Sequence, residues 1–285
     1  MSGEHLPARV GGDRDGLKRT IERLGLDWIV PDWPAPPNVR ALMTTRTGRD
    51  GASMNLGRST GSAAADVEHN RVLLAEVCGV ESLWLSQMHG VDIADADADD
   101  VADADADADA DGSPQLIEAD AAIATRPGRA ATVRVADCMP VLFTDRQGSV
   151  VGAAHAGWRG LCAGVLEATI ASMRLRMVIN NPAEILAWLG PAIGPDAFEV
   201  GDDVRDAFIA RDDGARHAFV PIPTHPGKWL ADLYALARMR LRTAGVTSIY
   251  GGDYCTYRDA DRFFSYRRDK SMERMGAVIW IEPSV

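Results

Sequence analysis

Hydrophobic positions along the chain fall into short apolar runs and into longer stretches with helical spacing. The short runs predict β-strands at residues 39–45, 83–88, 119–125, 130–135, 141–145, 150–154, 185–189, 249–254 and 277–281. Helical spacing predicts helices at residues 17–24, 66–78, 161–175, 202–210 and 229–243. A turn signal at residues 146–148 joins two of the strands into a hairpin.

The order of these elements favours an α+β fold over a parallel α/β fold. Strands and helices do not alternate regularly, and no GxGxxG motif is present, so a Rossmann sheet is not supported. Hairpins with interspersed helices predict mixed or antiparallel sheets. No linker-like segment divides the chain after residue 38, so we expect a single domain over residues 39–285. The Pro-rich residues 1–38 are expected to form a loosely attached lead-in.

The negative charge of the chain is concentrated in one segment. The formal charge is −11, but the Asp-Ala tract at residues 95–111 holds nine aspartates and no base, so the remainder carries only −2. A nearly neutral body offers no basic surface for nucleic acid. Because aspartate disfavours strands and like charges repel, we expect a flexible loop over residues 94–112.

Composition predicts a cytoplasmic protein without a membrane anchor or a disulfide framework. No apolar run reaches the ~18 residues that a bilayer-spanning helix needs. The first residues contain no apolar signal region. The four cysteines include no CxxC pair, which argues against a framework of disulfides.

Polar residues follow apolar strands at three places that open into Gly or Pro turns. His89, Cys138 and His155 stand at these places. Two imidazoles and a thiolate suit tetrahedral zinc, and three protein ligands leave a fourth position for water or substrate. The spacings of 49 and 17 residues form no local metal motif, so unrelated placement of the three remains an alternative on spacing alone.

Two further stretches offer groups that bind anions or bases. Arg159 lies at the start of a predicted helix, where N–H groups and the helix dipole favour phosphate. An ion pair with a carboxylate is the alternative for this arginine. Residues 255–268 concentrate aromatic side chains and arginines, which suit base stacking and phosphate binding. A strand with one buried face and ion-paired arginines would explain the same pattern.

Eight stretches between residues 39 and 281 form a specific combination. They are TTRTG (44–48), MNLG (54–57), SQMHG (86–90), ADAAIAT (119–125), VRVADCMPVLFTD (133–145), HAGWRG (155–160), LGPAIGPDAFEV (189–200) and CTYRDADRFFSYRRDK (255–270). This combination resembles the YfiH-like family, also called the laccase-domain or multicopper polyphenol oxidase family. Its members are also described as purine nucleoside phosphorylases and as a peptidoglycan editing factor.

The resemblance implies a fold, a metal and an activity. The fold is a layered α/β/β/α sandwich, and the metal is a zinc held by His89, Cys138 and His155. The implied activity is phosphorolysis of adenosine, inosine, guanosine and methylthioadenosine, with adenosine deamination as a second reaction. The expected partners are therefore purine nucleosides and phosphate, with no nucleic acid and no membrane.

We hypothesise that the purine stacks near Tyr266 or Phe264 and that Arg159 and Arg46 hold phosphate. For deamination, zinc would activate a water molecule. Arg274 receives no role, because the loop after Lys270 reads SMER where TGR is usual in the family. The expected catalytic residues are Cys138, His155 and Asp137, with Asp137 as proton carrier. The expected substrate-binding residues are Arg46, Asn55, Gln87, Arg159, Tyr266 and Arg267, of which Asn55 and Gln87 would contact ribose or base edges.

Three other functions compete with this hypothesis. A true multicopper laccase needs about ten histidines, many in HxH pairs, whereas this chain has six histidines and no HxH. Copper remains a possible alternative or adventitious metal, because divalent copper outbinds zinc at nitrogen and sulfur ligands. A metal-independent hydrolase would use Cys138 as nucleophile and His155 as base, for peptidoglycan editing. A non-catalytic interaction protein would use the acidic tract as its contact surface.

Overall fold

The computed structural model describes residues 14–57, 64–98, 116–177 and 184–283. Seven α-helices occur in these ranges, together with two 3₁₀ helices at Arg49–Gly51 and Asp213–Ala218. The α-helices are α1 (Arg14–Arg23), α2 (Ala64–Cys78), α3 (Trp158–Ala163), α4 (Val165–Arg174), α5 (Asp202–Arg211), α6 (Leu233–Thr243) and α7 (Tyr266–Asp269). No helix in the described part of the chain is long and apolar enough to cross a membrane.

Fifteen strands occur in the same ranges, and ten of them form two main sheets. The strands are β1 (Val39–Met43), β2 (Glu81–Ser82), β3 (Leu85–Ser86), β4 (Ile93–Asp95), β5 (Ile117–Glu118), β6 (Ala121–Ala124), β7 (Arg129–Val135), β8 (Met139–Asp145), β9 (Val151–Ala156), β10 (Ile185–Leu189), β11 (Glu199–Gly201), β12 (Phe219–Pro221), β13 (Lys228–Ala231), β14 (Ser248–Gly251) and β15 (Met275–Ile281). One main sheet has the order β1-β15-β7-β2, and the other has the order β14-β10-β8-β9-β6-β4.

Three hydrophobic clusters stack the two main sheets and the helices into four layers. Helices α1 and α2 cover the outer face of the four-stranded sheet. The inner face of that sheet packs on the six-stranded sheet. Helices α4, α5 and α6 cover the opposite face of the six-stranded sheet. The predicted α+β class with mixed and antiparallel sheets is confirmed, and the layer order is the expected α/β/β/α.

Strand β15 shows how alternation assigns side chains to these layers. Val278 and Trp280 pack among the residues of the outer helices, whereas Ala277 and Ile279 pack against the second sheet. Successive side chains of a strand point to opposite faces, so a strand buried on both faces is apolar throughout. This explains why residues 277–281 form an uninterrupted apolar run in the sequence.

The described part of the lead-in is packed against the body, which corrects the expectation of loose attachment for residues 14–38. Trp28 and Trp33 are each only 5% exposed. Ile29 and Met43 exchange two main-chain hydrogen bonds of 2.8 Å. The prolines of the segment suggested an irregular, loosely attached chain, but its large apolar side chains fill one end of the core. Residues 1–13 of the lead-in lie outside the described residues.

The first residues of the predicted Asp-Ala loop, 94–98, are packed against the body, which corrects the expectation of a flexible loop for these residues. Strand β4 includes Ala94 and Asp95, and the next residues are still ordered against the body. The buried Asp97 carboxylate accepts hydrogen bonds from the N–H and hydroxyl groups of Thr125 and from the N–H of Arg126. The rest of the predicted loop, residues 99–112, lies outside the described residues.

Two predicted helices differ from the observed ones. The predicted helix 161–175 is divided into α3 and α4 at Gly164, whose φ of 112° interrupts the helical main chain. The predicted helix 229–243 begins as strand β13, and α6 starts only after Asp232. Asp232 caps α6 by accepting the N–H of Ala235 at 2.9 Å. In both cases a local capping or turn residue overrides the apolar spacing.

Candidate metal centre

Four neighbouring strands bring the predicted ligands to one end of the six-stranded sheet. Strands β8 and β9 pair with Pro140 opposite His155, so Cys138 just before β8 lies beside the end of β9. Strand β6 pairs with β9 so that Ala121 lies opposite Ala154. Strand β4 runs parallel to β6 from residue 93 onward. The turn that carries His89 therefore arrives at the same end of the sheet.

Asp120, just before β6, holds the turn that carries His89. Its carboxylate accepts the main-chain N–H groups of Met88 at 3.0 Å, His89 at 2.9 Å and Gly90 at 2.6 Å. His89 has a φ of 63°, a left-handed conformation that non-glycine residues rarely adopt. Three N–H groups bound to one carboxylate stabilise this conformation and fix the direction of the imidazole.

The same carboxylate orients His155. The Asp120 Oδ1 atom lies 2.7 Å from Nδ1 of His155, and both side chains are buried. A hydrogen bond from Nδ1–H to the carboxylate leaves Nε2 of His155 as the acceptor atom of the neutral ring. A carboxylate behind a histidine is a common way to fix the ring of a metal ligand.

Cys138 lies in the short connection between β7 and β8, and its neighbour Asp137 fixes that connection. Asp137 has a φ of 82° and a buried carboxylate. The hydroxyl of Thr256 and the N–H of Arg267 each donate to this carboxylate at 2.6 Å. Both Asp137 oxygens are therefore occupied, and Asp137 ties the Cys138 connection to the C-terminal turn.

The three predicted ligands come together. One donor atom from each of His89, Cys138 and His155 lies within 4.8 Å of the other two, and no other group of at least three His, Cys, Asp or Glu side chains in the described ranges does so. Cys138 Sγ is 3.8 Å from His89 Nε2. Two nitrogens and one sulfur fit a single tetrahedral ion with one position left over, and they do not fit a cluster of several coppers.

Two glycines of the HAGWRG segment make room for this arrangement. A Cβ atom on Gly157 would lie 2.8 Å from Cδ2 of His89 and 2.9 Å from Sγ of Cys138. A Cβ atom on Gly160 would lie 2.9 Å from the main-chain oxygen of Gly90. Glycine at 157 lets helix α3 start against the ligands.

The charges of the centre stabilise one another. Burial raises the pKa of Cys138, but the charge of His155 and hydrogen bonds from His155 and His89 outweigh burial and lower this pKa to about 6. Burial lowers the pKa of His155, but the Cys138 thiolate and Asp120 outweigh burial and raise it to about 9. Burial raises the pKa of Asp120, yet hydrogen bonds from His155 and Gly90 hold it below its usual range. The thiolate, which is the form that binds metal, is thus favoured at neutral pH.

Two predicted substrate contacts instead hold main-chain groups. Gln87 donates to the carbonyl of Arg134 at 2.9 Å and accepts the N–H of Arg134 at 2.8 Å. Asn55 accepts the N–H groups of Gly57 and Arg274, both at 2.9 Å. These amides position the segments on either side of the centre, which differs from the expected contact with ribose or base.

The remaining predicted substrate residues retain aromatic or cationic groups on the surface. Tyr266 is 46% exposed. Arg159 is exposed and lies over the ring of Trp158. Arg46 lies over the ring of Phe264, and Arg267 donates to the main-chain oxygen of Glu199. Helix α3, which follows His155, has only six residues.

Sequence reasoning missed Asp120, although a signal was present. Asp120 directly precedes strand β6, whose four residues are all buried. A single carboxylate at the start of a fully apolar strand indicates a buried charge that needs partners. The partners, a histidine and three main-chain N–H groups of a distant turn, follow only from the sheet topology.

A family model described as multi-copper polyphenol oxidoreductase laccase matches residues 40–282. The chain belongs to this family. The predicted membership is confirmed, since the model spans most of the chain. The laccase-family description names a copper chemistry, while the site described above offers one three-residue ligand group.

Similar proteins carry a more specific name. A Pseudomonas aeruginosa protein named purine nucleoside phosphorylase is 46% identical over 259 residues, which is 90% of this chain and 98% of the relative. The Escherichia coli purine nucleoside phosphorylase YfiH is 46% identical over 260 residues, which is 89% of this chain and 98% of the relative. The crystal structure of a Neisseria meningitidis protein is 44% identical, has a TM-score of 0.79 and covers 90% of this chain and 100% of its own. These likenesses confirm the laccase-family fold over the length of the body.

Proposed function

We propose that this chain is a zinc-dependent purine nucleoside phosphorylase that acts on adenosine, inosine, guanosine and methylthioadenosine, with adenosine deamination as a second activity. The observation that carries the proposal is the meeting of two imidazoles and a thiolate, backed by Asp120, at one edge of the sheet. Relatives named purine nucleoside phosphorylase, at 46% identity over about nine-tenths of the chain, support the choice of substrate.

The chain's own donors define how the metal would be held. His89, Cys138 and His155 would bind it, with His155 through Nε2 because Nδ1 faces Asp120. A bound zinc ion supplies a Lewis acid that activates water or stabilises developing negative charge. The thiolate form of Cys138 is favoured at neutral pH, whereas His155, whose pKa is raised to about 9, must release a proton before its Nε2 can bind the metal.

Phosphorolysis needs the nucleoside and phosphate to be held in line. One phosphate oxygen forms a bond to C1′ of the ribose as the bond between C1′ and N9 breaks. The electron pair of that bond passes to the purine, which takes up a proton. We assign purine stacking to the exposed ring of Tyr266 and phosphate attraction to the guanidinium groups of Arg46, Arg159 and Arg267.

Asp137 receives a different part from the one that sequence reasoning gave it. Thr256 and Arg267 occupy its two oxygens, so it is poorly placed to exchange protons with substrate. We assign it to holding Cys138 and the 266–270 turn in register. Thr256→Val, which removes one of its two donors, should therefore weaken zinc binding rather than change the pH profile of turnover.

The experiment that tests the proposal measures metal and product together. The protein is purified without a metal-affinity tag, its zinc and copper are quantified, and hypoxanthine release from inosine is followed with and without phosphate. Phosphate-dependent release that falls to background in Cys138→Ala and His155→Ala supports the proposal. His217→Ala, which changes an exposed histidine of a 3₁₀ helix, is the matched control and should keep full activity. Release that persists unchanged in the two ligand variants contradicts it.

One observation favours a second candidate, a cysteine hydrolase. Cys138, His155 and Asp120 form a thiolate, base and carboxylate chain, the arrangement that activates a nucleophilic cysteine. The second imidazole of His89, 3.8 Å from the sulfur, has no part in such a triad and favours a metal site. Full hydrolytic turnover in chelator-treated protein, abolished by alkylation of Cys138, would select the hydrolase. A copper-loaded oxidase would appear as copper content with phenol oxidation.

A further inference from the structure

Arg274, which received no role from the sequence, lies next to the metal centre. It directly precedes strand β15, whose first residue Met275 pairs with Val135 at the end of β7. The next residues after Val135 lead to Asp137 and Cys138. In this antiparallel register, Arg274 comes opposite residue 136, beside the connection that carries the cysteine ligand.

The main chain of Arg274 is fixed on both sides. Its N–H donates to Oδ1 of Asn55 at 2.9 Å. Its carbonyl accepts the N–H of Leu56, also at 2.9 Å. Asn55 is itself buried and held to Gly57. The buried amide of Asn55 thus fixes the position of Arg274 at the edge of the centre.

The guanidinium of Arg274 has neutral partners. Nη1 donates to the carbonyl oxygens of Glu273 at 2.9 Å and Ser271 at 3.4 Å, and Nη2 lies 3.7 Å from Sδ of Met272. Within the described ranges, no carboxylate forms an ion pair with this side chain, and its Nε–H has no hydrogen-bond partner. An arginine keeps its charge at any physiological pH, so this half-buried positive charge has no directly paired carboxylate among the described residues.

The groups around Arg274 are those of the proposed active site. Burial lowers the pKa of Arg274, while Cys138, Asp137 and Tyr266 act on it electrostatically in the opposite direction. The guanidinium therefore lies within electrostatic reach of a metal ligand and of the ring assigned to the purine. A divalent metal ion bound there would neutralise the charge of the thiolate. The binding of an added anion beside Arg274 would then be more favourable than in the metal-free protein.

The other cations of this region are more fully engaged or more exposed. Arg46 donates to the carbonyl of Ala260 and lies over Phe264. Arg267 donates to Glu199 and lies over Phe198. Arg159 stands on the exposed side of α3. Arg274 combines partial burial, open N–H donors and proximity to Cys138.

We propose that Arg274 binds the phosphate co-substrate, with Nε–H and an Nη2–H directed at two phosphate oxygens. The planar guanidinium presents two parallel donors that match an oxyanion, which a lysine does not. The inference rests on the proposed phosphorolysis for its turnover readout. Phosphate binding itself is measured independently of turnover, so the two proposals fail separately.

The test compares zinc-loaded full-length protein with Arg274→Gln and Arg274→Met, which remove the charge and keep the length of the stem. Arg216→Gln is the matched control, because Arg216 is exposed and pairs with Asp213 away from the centre. We expect the KM for phosphate to rise about 10- to 100-fold in both Arg274 variants, as for loss of a charged hydrogen-bonding pair. The KM for inosine and the zinc content should stay within about twofold of the parent.

Calorimetric titration with inorganic phosphate gives the second readout. Loss of phosphate binding in the Arg274 variants, with retained zinc and circular dichroism, supports the assignment even if the parent shows no phosphorolysis. In that event the proposed function fails and the anion site remains. Parent-like phosphate affinity and phosphate KM in either folded Arg274 variant overturn the assignment, whether or not phosphorolysis occurs.

Discussion

Asp120 is the residue on which the candidate metal centre depends most. One carboxylate binds the turn of His89 through three N–H groups and orients His155 through Nδ1. Both imidazole ligands are therefore positioned by the same side chain. A change at this position disturbs two ligands without touching either of them.

The first prediction concerns Asp120→Asn. The amide keeps the size of the side chain but loses the charge that polarises His155, and its NH₂ group cannot accept from the turn. We expect zinc affinity to fall about 10- to 100-fold, as for other residues that support metal ligands. Competition with a chromogenic zinc chelator measures this affinity.

Asp97→Asn is the matched control for this variant. Asp97 is also buried and also accepts main-chain N–H groups, from Thr125 and Arg126, but it lies outside the ligand group. It should lose stability while binding zinc as the parent does. Equal zinc affinity in Asp120→Asn and the parent would show that Asp120 does not support the histidine ligands.

The second prediction concerns the pH dependence of Cys138 in metal-free protein. Because its pKa is lowered to about 6, the side chain is a thiolate above that pH and a thiol below it. Its alkylation by iodoacetamide should be nearly constant from pH 9 to 7, reach half of the plateau rate near pH 6, and decline below. Cys138→Ala should lack this reaction, and added zinc should suppress it. A midpoint near the ordinary thiol pKa would contradict the described electrostatics.

Residue type alone identified part of this site. His89, Cys138 and His155 follow apolar strands, and two imidazoles with a thiolate suit zinc, although their spacing alone left unrelated placement open. The main-chain hydrogen bonds of Gln87 and Asn55 were not predicted, because an amide serves main-chain groups and ligands equally well.

At the scale of elements, the ends of adjacent strands assemble the centre. Pairing of β8 with β9 and of β9 with β6 places Cys138, His155 and Asp120 side by side. The helix that follows β9 must begin in contact with these side chains. Gly157 permits this start, because it has no Cβ to meet the ligands.

The third prediction concerns this contact. Gly157→Ala would place a methyl group 2.8 Å from the ring of His89 and 2.9 Å from the sulfur of Cys138, so at least one ligand must move. We expect zinc binding to weaken by at least about tenfold while the fold is kept. Gly48→Ala, whose new methyl group would have its nearest neighbour at 3.4 Å, is the control and should bind zinc normally. Parent-like zinc affinity in Gly157→Ala would show that the ligands are not packed as described.

The elements themselves were largely predictable from periodicity. The hairpin of β8 and β9 and the last strand follow directly from apolar runs and a turn signal. The division of the helix at Gly164 and the strand before Asp232 were not predicted. The spacing of apolar residues contains no information about a glycine in the left-handed conformation or an aspartate that caps a helix.

At the scale of the whole molecule, the segment before β1 is part of the core. Trp28, Trp33 and Leu17 are buried, and Ile29 adds a bridge to the end of β1. The end of β1 leads into the segment that carries Arg46 and Asn55. Packing of this segment therefore supports one side of the proposed substrate site.

The fourth prediction concerns the stability that this packing provides. Trp33→Ala removes a side chain that is 5% exposed, so the free energy of unfolding should fall by about 3–5 kcal/mol. Leu175→Ala, at a position 87% exposed, should change it by less than about 0.5 kcal/mol. Urea denaturation, followed by far-ultraviolet circular dichroism so that the loss of a tryptophan does not affect the signal, measures the free energy of unfolding of both variants. Equal urea midpoints for Trp33→Ala and the parent would indicate that the segment before β1 is loosely attached after all.

X-ray absorption at the zinc edge of the reconstituted protein would show directly whether His89, Cys138 and His155 bind one zinc ion. The ligand set described above should give one sulfur at about 2.3 Å and two imidazole nitrogens at about 2.0–2.1 Å, with a fourth light atom from solvent. Loss of the sulfur shell in Cys138→Ser would assign it to this residue. A coordination shell of oxygen and nitrogen alone in the parent protein would contradict the proposed centre.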